Sequence, residues 1–374
     1  MMAVARSDTS ILGRWWWTVD RWMLFALMSL IAIGAVLVLA ASPAVAKNIG
    51  VEPLHFVKRH LLLLGPAIAI MVGTSLLTPR DINRLALLVF FVSLVLLGLT
   101  LSTGVEIKGA RRWLSIGGFS LQASEFAKVS LIVVSAWLLA EWRSHGHMAG
   151  WLIAFLLCAG TVGLIIRQPD LGTGLIVASA WLGQFFLAGL SAWLVALLAT
   201  ASVFGAIGAY FVFPHVASRV DRFLDPASGD SYQVDRSREA FVNGGLFGQG
   251  PAEGRIKALL PDAHADFIFA VVGEEMGLFA CLLIVLLFAF IVLRGFLRLL
   301  DERSLFVLLA VGGLLTVFGL QAFVNMASSL HLIPTKGMTL PLVSYGGSSP
   351  LALALAMGLG LARMRRRAET SRLP

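Results

Sequence analysis

The chain has 374 residues, of which 58% are hydrophobic and only 13% charged, and its formal net charge is +8. A soluble domain carries about 25% charged residues, so this composition excludes an ordinary soluble protein and leaves no stretch polar enough for a separate soluble domain. The basic residues are spread between apolar runs and not gathered on one polar module, which argues against nucleic acid as a partner.

The first apolar run, 22–41, is followed by Ala44, Val45 and Ala46, which resemble a small-residue cleavage site. The run is longer than the roughly 7–15 residues of a signal-peptide core and reads as a retained first span. Further spans are predicted at 56–78, 84–103, 121–140, 150–166, 172–188, 192–213, 267–293, 304–329 and 346–362, each near the ~20 residues a bilayer requires. The fold class is therefore all-α: a polytopic membrane protein of about ten transmembrane helices. A long outer loop, 214–265, separates the seventh span from the eighth. A short arm (1–21) precedes the ten-span domain (22–362) and a basic tail (363–374) follows it. Cys158 and Cys281 fall inside spans and read as packed thiols, with no disulfide framework or metal site implied.

Arg6, Arg14 and Arg21 precede the first span, and Arg363, Arg365, Arg366 and Arg367 follow the last. The positive-inside rule then places both termini in the cytoplasm. Loops with Arg80 and Arg84, with Arg143, and with Arg294, Arg298 and Arg303 fall on the same side. The opposite face breaks the rule: it carries Arg111, Arg112, Arg167, Arg219, Arg222, Arg236, Arg238, Arg255, Lys257 and Lys336. Two explanations stand. These cations meet an anionic ligand at the outer surface, or those in the long loop pair with Asp221, Asp225, Asp230, Asp235 and Glu239.

The outer connections hold the candidate chemistry. In "KGARRWLSIGGFSLQASEFAK", the adjacent Arg111 and Arg112 can hold separate oxygens of a pyrophosphate. Trp113 either stacks on a sugar or anchors at the interface. Glu125 and Lys128 share a helical face three residues apart and form a structural ion pair or line a polar cavity. Asp170, in "RQPDLGTG", is an N-cap or a site residue. In "KGMTLPLVSYGGSS", Lys336 and Ser344, with Tyr345, Ser348 and Ser349, supply donors in a loop that dips toward a cavity, or its serines cap the next helix.

"LPDAHADFIFAVVGEEMG" places Asp262, His264 and Asp266 just before the eighth span and Glu274 and Glu275 within it. On a continuous helix Glu274 lies about 12 Å deeper than Asp266 and near the same face. That predicts a polar line from Asp266 into the bundle, with both glutamates bonded to neighbouring spans. Water-poor surroundings raise a carboxyl's basicity toward what proton abstraction needs. Asp262 and His264 read as positional.

With "GARRW", "ASEFAK", "QPDLGTG", "LPDAHADFIFAVVGEE" and "LIPTKGMTLPLVSYGGSS" in this order, the chain resembles the SEDS family of cell-wall membrane proteins. "PTKG" resembles its division branch. "RFLDPASGDSYQV" and "GGLFGQGPAEG" resemble members of the alpha-proteobacterial type. The chain departs from the family pattern at Lys108 (often Asn), Ala123 (often Pro) and Ala265 (often Thr); the last removes a hydroxyl beside the acid. The resemblance implies a ten-span inner-membrane glycosyltransferase that polymerises lipid II into glycan strands at the periplasmic face of the septum. It implies Asp266 as catalytic acid residue, Trp113 and Lys336 as functional residues, and Glu125 with Lys128 as the in-membrane pair.

On this reading Asp266 takes the proton of the acceptor sugar's 4-hydroxyl. Arg111 and Arg112 stabilise the departing lipid pyrophosphate, with Lys336 and Ser344 also at the substrate and Asp170, His264 and Glu274 in the polar cavity. The sequence makes no cofactor certain; a divalent cation can share the pyrophosphate, though no ligand spacing demands one. The implied partners are lipid II, the growing strand, a class B penicillin-binding protein and other division membrane proteins. A lipid II flippase, a non-enzymatic division scaffold and an elongation-branch polymerase are the alternatives.

Overall fold

The computed structural model describes residues 10–107, 110–146, 149–225 and 232–365. Arg6, Lys108, Asp230, Arg366 and Arg367, used in the charge and motif arguments, lie outside the described residues. A short helix α1 (Ile11–Thr18) leads into α2 (Arg21–Asn48), α3 (His55–Ser75) and α4 (Pro79–Thr103). Strands β1 (Val105–Ile107), β2 (Ala110–Ile116) and β3 (Phe119–Leu121) follow. Next come α5 (Ala123–His145), α6 (Gly150–Arg167), α7 (Leu171–Leu187) and α8 (Ala192–Val212). The long loop contains α9 (Pro214–Leu224) and α10 (Tyr232–Gly244), and the chain ends in α11 (Ile268–Leu299), α12 (Leu305–Ser329) and α13 (Ser349–Arg363).

Ten of these helices coincide with the ten predicted spans. Eight are long and apolar enough to cross a bilayer, while α7 and α13 are shorter. At 1.5 Å per residue, their 17 and 15 residues give about 25 and 22 Å, less than a hydrocarbon core of about 30 Å.

Helix α5 is the axis of the bundle. Its apolar stretch is 89% buried, and it packs on α4, α6, α7, α12 and α13. Gln184 of α7 staples three helices by donating to the carbonyls of Ile132 and Leu309 at 2.8 and 3.0 Å. Helix α8 is peripheral, with only 6% of its apolar stretch buried, so its apolar side chains suit lipid contact.

One end of the bundle gathers the basic residues. Asp20 caps α2 by accepting from the Met23 amide, and both its oxygens accept from Arg294 Nε at 2.9 Å. Arg298 adds a third contact at 3.1 Å. Burial alone raises the Asp20 carboxyl, but the Arg294 and Met23 hydrogen bonds and both positive charges outweigh it and hold it below its ordinary value. Trp15 donates to Ser75 Oγ, and Arg365 to Thr18 Oγ1. The N-terminal helix and the end of α13 therefore dock on the same end.

The opposite end is built differently from the expectation in two places. The "GARRW" stretch folds as an antiparallel three-stranded sheet in the order β1-β2-β3. Helix α11 is also not continuous. Gly277 stands at φ 74°, ψ −172° and breaks the helical hydrogen-bond ladder. The long loop fills the break. Gln249 and Gly250 donate to the freed carbonyls of Glu274 and Glu275, and the amides of Leu278 and Phe279 donate to Gly245 and Leu246. Backbone freed at membrane depth must be satisfied by protein, and here the loop does so. A Cβ on Gly277 would stand 2.5 Å from the Leu246 carbonyl oxygen, so the splice requires glycine.

Candidate active site

Asp266 lies in the turns that precede α11. Its amide donates to the Asp262 carbonyl at 3.1 Å. Its own carbonyl accepts from Asn325 Nδ2 at 2.9 Å, and the same amide group donates to Met338. Asn325, on α12, thus ties the acid's loop to the loop before α13. Gly337 of that loop has φ 55°, and a Cβ there would stand 3.2 Å from Asp266 Oδ2. A side chain at 337 would crowd the carboxylate.

Asp266 lines a cavity of about 430 Å³ together with Arg112, Trp113, Glu125, Lys128, Asp170 and His264. These residues come from β2, α5, the start of α7 and the turns before α11. Gln321 of α12, Thr339 and Ser348 of the loop before α13, and Ser349 at the start of α13 complete the lining.

The sheet separates the two arginines. Adjacent strand residues point to opposite faces. Arg112 is buried and Arg111 half exposed, paired with its cross-strand neighbour Glu106 at 3.2 Å. The expectation that both guanidiniums grip one pyrophosphate does not match this geometry, because Arg111 is not among the cavity's lining residues. Arg112 donates to the carbonyls of Gln168 and Pro169 and lies 3.8 Å from Asp170 Oδ1. It therefore closes the α6–α7 junction while facing the cavity.

Asp170 serves both readings offered for it. It caps α7, accepting from the Thr173 amide and hydroxyl, and it lines the cavity. Glu125 and Lys128 do the same: they form an ion pair of 2.7 Å in the cavity wall. Lys128 also donates to Gln321 Oε1 at 2.5 Å, and Glu125 Oε2 accepts from Ser349 Oγ at 2.9 Å. Gln321 in turn donates to the Thr339 carbonyl. The charges are buried, paired with each other and hydrogen-bonded to neighbouring polar groups.

Two expected site residues, Ser344 and Glu274, sit elsewhere. Ser344 is buried and accepts from the Leu340 amide at 2.8 Å, so it fixes the turn of its own loop. Glu274 is fully buried behind the cavity, accepting from the amides of Ile256 and Lys257 at 2.7 and 2.9 Å and from Asn243. The predicted polar line from Asp266 to Glu274 is absent because α11 starts at Ile268, so the two residues do not share one helix. Glu275 likewise binds the long loop, pairing with Lys257 and accepting from the Ala252 amide, and not a neighbouring span.

Lys336 is half-buried beside the wall formed by Gly337 and Met338. Its Cδ would be 3.1 Å from a Cβ on Gly172, so it crosses the first turn of α7. Burial lowers its pKa, the nearby Arg219 lowers it further, and Asp170 partly opposes both. His264 packs between Phe56 and Tyr345, with ring centroids 4.3 and 5.0 Å away. Burial takes it down to about 4 despite the Asp262 charge, and its Nδ1 has no hydrogen-bond partner among the described residues.

A family model described as cell cycle protein, FtsW/RodA/SpoVE, matches residues 21–369. The chain belongs to this family. Relatives of the FtsW/RodA/SpoVE family include the probable peptidoglycan glycosyltransferase FtsW of Caulobacter vibrioides. It is 42% identical over 94% of this chain and 90% of the relative. The protein of the same description from Trichlorobacter lovleyi is 35% identical over 89% of each chain. Among solved structures, a chain from a peptidoglycan synthase complex that coordinates polymerization and crosslinking matches with TM-score 0.74 and 28% identity, over 92% of this chain and 97% of that one. RodA of Thermus thermophilus matches with TM-score 0.69 and 28% identity, over 93% and 97%.

The cavity also uses residues that sequence reasoning passed over. Gln321 and Asn325 were readable as two polar residues four apart in an otherwise apolar span, a spacing that aims both at one face. Thr173 and Gln122, which donates toward Asp170 at 3.4 Å, gave no comparable signal. Among the described residues no group of three or more His, Cys, Asp or Glu side chains is placed to hold a metal.

Proposed function

We propose that this cavity polymerises lipid II into peptidoglycan strands during cell division, at the periplasmic face of the inner membrane. The observation that carries this reading is the meeting of Asp266, Arg112 and Trp113 in one cavity, at the end of the bundle remote from the Asp20–Arg294 cluster. The positive-inside rule assigns that cluster, and both termini, to the cytoplasm.

Asp266 accepts the proton of the acceptor sugar's 4-hydroxyl as that oxygen attacks the donor's anomeric carbon. The new C–O bond forms on the face opposite the breaking bond to phosphate, so the configuration inverts. The lipid pyrophosphate leaves with the bonding electron pair, and its charge is met by the preorganised guanidinium of Arg112. A divalent cation would enter with the pyrophosphate as part of the substrate; titration with a chelator tests that requirement. A class B penicillin-binding protein cross-links the product, and a single-span partner packs against the bundle laterally.

Purified protein, alone and with a class B penicillin-binding protein, is supplied with lipid II. Glycan polymer is expected, reduced by about 10²–10⁴ in Asp266→Asn, the range for loss of a general base, with an unchanged melting temperature. Intact lipid II crossing vesicles without polymer would overturn the enzyme in favour of a flippase. Polymer undiminished in Asp266→Asn would remove that residue's role. Depletion in cells is expected to block septation and leave elongation running; the reverse would assign the activity to elongation.

A further inference from the structure

Three arginines meet at the end of the bundle remote from Asp266. Arg298 lies in the last turn of α11, Arg363 closes α13 and Arg365 follows it, and all three line a cavity of about 230 Å³. Among the described residues that line it, Glu302 is the one carboxylate. Arg363 and Arg365 are oriented by neutral groups, which fix a guanidinium without cancelling its charge. Arg363 donates to the Pro79 carbonyl at 3.0 Å and to Asn83 Oδ1 at 2.8 Å, and its Cζ stands 4.3 Å from the centroid of the Phe306 ring. Arg365 donates through Nε to Thr18 Oγ1 at 3.0 Å. Burial and, after it, the nearby Arg14 lower the Arg365 pKa, so an anion at the cavity would steady its charge. Arg298 engages Asp20 through Nε alone, and that carboxylate is shared with Arg294. Among the described residues the two terminal amino groups of Arg298 make no hydrogen bond.

We propose that this cavity binds the phosphate of an anionic glycerophospholipid from the leaflet at this end of the bundle, with Arg298 and Arg365 as donors and Arg363 beside them. The proposal needs only a bilayer at this end, whatever reaction the opposite end performs. A basic pocket between spans suits such a headgroup because the phosphate supplies the negative charge that the side chains lack. The planar fork of a guanidinium binds two phosphate oxygens at once. The rest of the lining fits a lipid too. Leu299 and Met364 give the glycerol and first methylenes an apolar wall. Leu297 and Leu300, at the same end of α11, are 63% and 78% exposed, the kind of surface a span turns toward acyl chains. A soluble phosphate or an acidic peptide would use the arginines and leave that apolar surface idle.

The test uses full-length protein in a neutral detergent, with phosphatidylglycerol titrated in and bound lipid followed by native mass spectrometry and melting temperature. Phosphatidylcholine, glycerol 3-phosphate and a polyglutamate peptide are the parallel arms. Phosphatidylglycerol is expected to bind about tenfold or more tighter than phosphatidylcholine or glycerol 3-phosphate, and to raise the melting temperature as a ligand of the folded state does. The double variant Arg298→Gln, Arg365→Gln should lose about tenfold or more in affinity, the scale of lost hydrogen bonds to a charged group. Arg365→Lys alone should keep part of the binding. Glu302→Gln removes the carboxylate that repels the phosphate and should tighten binding by about threefold. Arg303→Gln changes an exposed cation next to the lining and should leave the affinity unmoved. An equal loss in Arg303→Gln would reduce the site to the general field of a basic end and overturn the proposal. Glycerol 3-phosphate bound as tightly as the lipid would make the ligand a soluble phosphate, and polyglutamate that displaces the lipid would make it an acidic protein; either overturns it. Should the double variant fail to fold, Glu302→Gln decides, because an unchanged affinity there also overturns it.

Discussion

Lys128 Nζ lies 2.7 Å from Glu125 Oε1, with both side chains shut from solvent inside the central helix α5. Removing one partner leaves the other charge buried and unpaired, which costs about 3–5 kcal/mol. Glu125→Gln and Lys128→Met are each expected to lower the melting temperature of the detergent-solubilised protein sharply, and the double variant to recover much of it. Because the pair also lines the cavity, the double variant should stay folded yet polymerise poorly. Full activity in a stable double variant would make the pair purely structural.

The two neighbouring arginines should behave unlike each other. Arg112 bridges two carbonyls and faces Asp170, a geometry a lysine ammonium cannot reproduce. Arg112→Lys is expected to cut the polymerisation rate by about tenfold or more, in line with loss of a charge-assisted bidentate contact. Arg111 forms an exposed pair with Glu106, which is worth about 0–1 kcal/mol, so Arg111→Gln should leave the rate within about twofold. Initial rates with lipid II check both.

The splice at Gly277 gives a stability prediction. Its φ of 74° with ψ of −172° belongs to a region open essentially to glycine, and a side chain there costs about 1–3 kcal/mol before the contact with Leu246 is counted. Gly277→Ala is expected to lower expression and melting temperature. Glu274→Gln, which weakens the grip on the Ile256 and Lys257 amides, should speed proteolysis within 245–257. Cleavage kinetics of the solubilised protein measure this.

His264 makes acid a destabiliser. Burial holds the folded residue neutral down to about pH 4, whereas unfolded histidine titrates near its ordinary value of 6.5. Between those values the unfolded state binds more protons, so stability falls as pH drops through 6.5 and levels off below about 4. From pH 6.5 to 5 the loss attributable to this residue is roughly 1.5 kcal/mol. His264→Phe, which keeps the stacking between Phe56 and Tyr345, should flatten that part of the curve. Thermal unfolding at both pH values is the check.

Much of the fold was legible because partition into a bilayer is a property of each stretch of chain. All ten helices stand where runs of apolar residues placed them, and Asp266, Arg112, Glu125 and Lys128 stood out as charges beside or inside those runs. The sheet at "GARRW" was not legible: its strands are three to seven residues long, and the buried face of β2 carries Arg112, which hides the alternation a strand would show. The line from Asp266 to Glu274 assumed one unbroken helix, and neither the late start at Ile268 nor the break at Gly277 could be read from local composition.

The chain by itself determined the number, place and order of the helices and the inventory of polar groups at the outer end, because the hydrophobic effect acts on local area. Only the tertiary structure decided which groups share a cavity. Arg112 meets the carbonyl of Gln168, 56 positions along the chain, and Glu125 meets Ser349, 224 positions along. Such contacts depend on which faces of distant helices pack together, and no stretch of sequence fixes that alone.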